Sequence, residues 1–172
     1  MDDGSLSVWE ASTDELKDLV IATFTAMAER PGVIDLLWID ETVLDRAGTS
    51  RKATVGQTVI DEAKAQHWDV GPLSMDALVS VIDQLRRREP SQVVERITEQ
   101  HALQALASRV SKGDPLLRDV SPRIVEAMLR RHLVDENSAL EVLAEALRTG
   151  KVCEHDLQIG SVEQLRSTGL FP

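Results

Sequence analysis

Apolar residues recur along most of this chain at three- and four-residue spacing, the period of an α-helix with one buried face. Leu16, Leu19, Val20, Phe24 and Met27 form the first such stripe. Ser12 followed by Glu15 reads as a capping box at its start, and Pro31-Gly32 ends it near Arg30. The next segment, residues 33–45, holds Val33-Ile34 and Leu36-Leu37-Trp38-Ile39. So short an apolar run fits a buried strand or a buried helix, and its continuation through Val43 and Leu44 to Gly48 favours a helix. Thr54 reads as the N-cap of a further helix carrying Val55, Val59, Ile60 and Ala63 to about Trp68, before Asp69-Val70-Gly71-Pro72 breaks it. Ser74 then caps a helix with Leu78, Val81, Ile82 and Leu85 on one face, closing at Arg86-Arg87-Arg88.

The second half repeats the pattern. Ser91 is placed to cap a long helix with Val94, Ile97, Leu103, Leu106 and Val110, punctuated by Lys112-Gly113-Asp114-Pro115. Ser121-Pro122 is a start signal, a capping side chain followed by proline at the first helical position. Ser138 with Glu141 makes another capping box, and Gly150 stands where helices commonly end in a left-handed residue. Ser161 with Gln164 opens a last helix ending at Gly169. The predicted fold is all-α, a bundle of about seven to nine short helices. Glu89-Pro90-Ser91 is the candidate boundary between an N-terminal bundle, residues 1–90, and a C-terminal helical region, residues 91–172, unless it is a corner within one continuous domain.

Composition narrows the function classes. The 172 residues carry a formal charge of −10, with 42% apolar residues but only 3% aromatic. Phosphate contacts supply most nucleic-acid affinity and require a basic face, so direct nucleic-acid binding is not expected. No apolar run approaches the roughly 20 residues of a membrane span, and anionic membrane surfaces would repel this charge. The N-terminus lacks a basic and apolar leader. Cys153 is the single cysteine, which fits a reducing, cytoplasmic setting.

Few residues suggest chemistry. Cys153-Glu154-His155-Asp156 combines thiolate, imidazole and carboxylate, the usual zinc ligands. A structural zinc site would repeat such a pair elsewhere, however, and only His132 is available to join it, so a polar loop is the simpler reading. The same Cys153–His155 pair lacks the orienting third group of a nucleophilic site. Asp35, Asp40, Glu41, Asp45, Asp61 and Glu62 would need distinct environments for acid/base work, and as solvated helix faces they need none. No phosphate-binding glycine loop, dinucleotide fingerprint or calcium loop occurs. No cofactor or metal is therefore expected.

Arg86, Arg87 and Arg88 are the densest cationic run. Cations at a helix C-terminus complement its dipole, but they also form a docking patch for an acidic partner. Trp9 precedes the first helix, either as a staple folded against it or as an exposed interface anchor. These four residues are the candidate partner-binding set.

Thr58-Val59-Ile60-Asp61-Glu62-Ala63-Lys64-Ala65-Gln66-His67-Trp68, followed by Ala77-Leu78-Val79 and Leu85-Arg86-Arg87-Arg88-Glu89-Pro90, resembles the late helices of a bacterial effector-associated domain, a death-fold-like adaptor. The resemblance spans residues 12–90. Ser91-Gln92 and the segment from Asp69 to Met75 depart from that family's pattern. It implies a helical bundle that recruits a protein through like-with-like contacts, without catalysis. A non-enzymatic protein–protein interaction module or adaptor, acting on a protein partner or by self-association, is thus the leading expectation. An accessory subunit of a larger enzyme, an acidic inhibitor of a basic protein, and a small helical metal protein or enzyme are its rivals.

Overall fold

A computed structural model of the chain describes residues 6–56, 58–71, 73–87 and 94–170. The all-α expectation is corrected at once. The structure is 54% helical, but 12% of it is strand, in two antiparallel sheets, so the fold is mixed α and β. Among the described residues the elements run β1 (Leu6–Trp9), α1 (Asp14–Met27), β2 (Ile34–Leu37), α2 (Glu41–Arg46), β3 (Arg51–Ala53), α3 (Asp61–Lys64), β4 (His67–Val70) and α4 (Met75–Arg86). They continue with β5 (Val94–Ile97), α5 (Glu99–Val110), α6 (Pro122–Arg130), α7 (Glu136–Arg148) and α8 (Ile159–Ser167). Short 3₁₀ turns occupy Leu117–Asp119 and Glu154–Asp156.

The strands fall where helical spacing misled. Residues 33–45 split into β2 and α2, with Asp40 as the α2 cap accepting the Thr42 N–H at 2.9 Å. β2 gains a ladder partner far along the chain, with Ile34 opposite Ile97 and Leu37 opposite Val94. The expected helix from Thr54 to Trp68 shrinks to α3 and β4. Two of its supposed core residues are solvent-facing, Val55 at 80% and Val59 at 38% exposure. The Thr54 hydroxyl instead meets His67 Nδ1 at 2.7 Å. The run before the first helix, Leu6-Ser7-Val8-Trp9, is β1, paired with β4 in the sheet order β1-β4-β3.

Where caps were expected, local chemistry shifts them by a residue or a turn. Thr13, not Ser12, accepts the Leu16 N–H at the start of α1. Asp135, not Ser138, caps α7 and accepts the Ser138 N–H at 2.8 Å. Ser74 caps α4 as read from the sequence, accepting the Ala77 N–H. Thr98 caps α5, which begins after β5; Ser91 and the Glu89-Pro90 boundary lie outside the described residues.

Two cores result. The main one gathers α1, β2, α3, α5, α6, α7 and α8 around fully buried residues such as Ile21, Leu103, Ile124 and Leu143. Its most extensive helix contact is α1 against α5, so elements from both sides of position 90 share it. The smaller core joins Val43 and Leu44 of α2, Val70 of β4 and Val81 of α4, with Val8 and Leu85 packed beside them. The three-stranded sheet therefore has α2 and α4 on one face. Residues alternate across a strand, so Trp9 and His67 point to the other face, where Phe24 of α1 lies.

Candidate functional site

Helix α4 is held through one narrow face. Val81 is buried and Leu85 is half-buried against the small core. The remaining turns present apolar side chains to solvent: Met75 is 73% exposed, Val79 49%, and Leu78 and Ile82 each 39%. At 3.6 residues per turn these four lie within an arc of about 100°, a continuous stripe rather than scattered residues. Arg86 extends the stripe at its C-terminal end, and Arg87 follows as the exposed C-cap. Asp76 stands in the first turn, beside the stripe. Helix dipole and charge agree at both ends, with the acid at the N-terminus and the cations at the C-terminus. Arg88 lies outside the described residues.

Trp9 does not join this surface. It is half-buried on the opposite face of the sheet, with ring centroids 5.0 Å from Phe24 and 4.7 Å from His67, both edge-to-face. Its indole N–H is buried without a hydrogen-bond acceptor among the described residues. The ring thus packs between the sheet and α1; it lies in a strand four residues before the Thr13 cap and is not the staple residue that flanks a cap.

The candidate acid/base carboxylates do not converge. Asp35 forms a bidentate pair with Arg96, at 2.8 and 3.0 Å, across the β2–β5 ladder. The Arg96 hydrogen bonds hold its carboxyl below the usual range. Glu41 and Asp45 both meet Arg51, Asp61 pairs with Lys64 and Glu62 with Arg109. Each of these is engaged by a cation.

Cys153, His155 and Asp156 do come together, with candidate ligand atoms within 4.8 Å of one another. His132 is not in this group. Cys153 and His155 are exposed, and both oxygens of Asp156 are already used. One accepts the Cys153 backbone N–H at 3.0 Å and the other meets Arg123 at 2.5 Å. The backbone hydrogen bond, then Arg123, lowers the Asp156 pKa. A cation there would compete with the guanidinium, so the group reads as a capped 3₁₀ turn.

Sequence reasoning missed a second feature, a surface groove of about 450 Å³ between α5 and the α6–α7 connection. Val110, Leu116, Leu117 and Leu133 contribute apolar walls, and His132 sits at its edge in a left-handed conformation, φ 55°. That conformation closes α6: the Leu133 N–H reaches the Met128 carbonyl at 3.0 Å and the His132 N–H reaches Leu129 at 2.9 Å, the Schellman pattern. Of its other polar residues, Asp135 accepts from the Ser138 N–H and hydroxyl as the α7 cap, and the Ser111 hydroxyl donates to the Ser108 carbonyl. The groove holds no convergent polar set of the kind that fixes a small ligand.

No protein-family model, no curated protein and no solved structure matches this chain.

Proposed function

We propose that the chain is a non-enzymatic protein–protein interaction module whose docking surface is the outer face of α4, with Arg86 and Arg87 at its rim. One observation carries this reading: Met75, Leu78, Val79 and Ile82 form a continuous exposed apolar stripe beside the face through which Val81 and Leu85 anchor the helix. Full burial of an exposed large aliphatic side chain is worth roughly 1.5–3 kcal/mol, and these four, 39–73% exposed, each forgo a part of it. A contiguous apolar patch rimmed by charge is what interaction surfaces retain. Among the other exposed large apolar residues, Leu37 and Val94 form a cross-strand pair and Phe24 packs on Trp9, with Leu6, Met27, Val33, Val55, Val59 and Leu116 making up the rest. The ion-paired carboxylates and the capped Cys153 turn support a binding role over a catalytic one. Trp9 belongs to the scaffold in this reading. Among the described residues no helix is long and apolar enough to cross a membrane.

Photo-cross-linking in the cell of origin tests the proposal. A photoreactive residue at Val79 or Ile82 is expected to give discrete cross-linked protein species, and one at Arg118, on the remote 3₁₀ turn, to give none. Equal or absent labelling at all three positions would remove α4 as a docking surface.

A further inference from the structure

We infer that α4 is a detachable element: it undocks and unfolds as one unit while the sheet beneath it and the main core stay folded. The inference concerns the inner face of the helix and stands without the docking reading of its outer face. Burial is its first basis. Among the described side chains of the 12-residue α4 only Val81 is buried, with Leu85 half-buried beside it. The equally long α5 buries five, Ala102, Leu103, Ala105, Leu106 and Ala107. Hydrophobic stabilisation scales with the apolar area removed from water, so α4 is the more weakly held of the two. A helix of this length is marginal in water by itself, and α4 therefore loses its helical structure as it leaves.

Charged ties are the second basis. Lys17 joins α1 to Glu95 of β5, Arg109 joins α5 to Glu62 of α3, Arg123 joins α6 to Asp156, and Glu136 joins α7 to Gln164 of α8. On α4, Asp76, Asp83, Arg86 and Arg87 make no ion pair among the described residues. The Ser74 cap bonds the Ala77 N–H within the same segment and leaves with it. What lies beneath is fastened. Arg51 ties β3 to Glu41 and Asp45 of α2, Trp9 of β1 packs on Phe24 of α1, and Asp114 accepts the Asp61 N–H at the start of α3. Opening therefore stops at α4 and uncovers Val43, Leu44 and Val70, the partners of Val81 in the small core. Units of such low local stability are the ones that move in binding and switching.

Native-state amide exchange on the full chain, followed in rising but sub-denaturing urea, distinguishes the outcomes. The amides from Val79 to Arg86 are expected to share one opening, with protection about tenfold or more below that of the slowest α5 amides. Their exchange should quicken with urea, but less steeply than that of α5, because a local opening exposes less surface than global unfolding. Ile124→Val, a mild truncation in the main core, separates the two processes. It should lower the protection of the slowest α5 amides about fivefold and leave that of α4 unchanged, because the main core is intact when α4 is open. Protection that falls equally in both helices, or α4 amides that share the urea dependence of α5, would mean that α4 leaves only when the whole chain unfolds, and either overturns the inference. Amides of α4 that exchange one by one without urea dependence would mean fraying in place of a unit, and overturn it as well.

Discussion

At the scale of single residues, the polar contacts that matter most are those that tie distant strands and helices together. Glu95 of β5 accepts from Lys17 of α1 at 2.5 Å and from the Trp38 indole N–H at 3.1 Å, and the Lys17 ammonium lies 5.8 Å from the Trp38 ring centroid. Lys17, with Trp38 behind it, lowers the Glu95 pKa. Arg96 does the same to Asp35, the Ser138 backbone N–H to Asp135, and the Cys153 N–H to Asp156. A carboxyl whose folded pKa is depressed contributes stability that is fully present above its unfolded pKa and is lost as pH falls through the folded value. Urea unfolding should therefore show a plateau near neutrality and a falling midpoint below about pH 4. Glu95→Gln should reduce stability at pH 7 by about 1 kcal/mol or less, because the pair is partly exposed, and should make the acid decline shallower. A decline of unchanged steepness would show that Glu95 carries none of it. These ion pairs were not legible in the sequence: Asp35 and Arg96 are 61 positions apart, and nothing local marks them as neighbours.

At the scale of elements, the local cap of α4 was legible at Ser74, those of α1 and α7 were displaced to Thr13 and Asp135, and caps supplied from elsewhere in the chain were not legible at all. Ser74 and Gly150 behave as their types dictate, the latter at φ 70°. Helix α8 is different. Its N-terminus has no side-chain cap of its own. Glu126 of α6, a carboxylate only 6% exposed, accepts the Gln158 N–H at 2.6 Å. Similarly, Asp114 accepts the Asp61 N–H at 3.1 Å and supports the start of α3 from 53 positions away. Glu126→Leu removes the acceptor of this part-buried hydrogen bond and should cost about 1–2 kcal/mol, with faster amide exchange confined first to α8. Glu126→Gln retains an acceptor and should cost less. Equal losses for both variants would mean that packing, not the hydrogen bond, sets the value. The strands were illegible for a related reason. A four-residue strand such as β2 carries too few alternations to separate from a helical turn, and its stability resides in a partner some 60 positions away.

At the scale of the whole molecule, the aliphatic, ring-poor composition does build a largely helical core, but the helices lean on two small antiparallel sheets. The three-stranded sheet decides what is exposed. It takes α2 and α4 on one face and Trp9, His67 and Phe24 on the other. This separates the two halves of the candidate binding set that the sequence had grouped, and leaves α4 with one face buried and one open. Periodicity alone counted Leu78 and Ile82 as core residues; only the placement of Val81 against Val43 and Val70 reveals that the buried stripe lies to one side of them. The most direct test of α4 as a docking face is photo-cross-linking from Val79 in the cell of origin, repeated with Met75 and Ile82 changed to aspartate. The expected result is a set of discrete cross-linked species that disappears in the double variant. Species that persist in the double variant, or none from Val79, would contradict it.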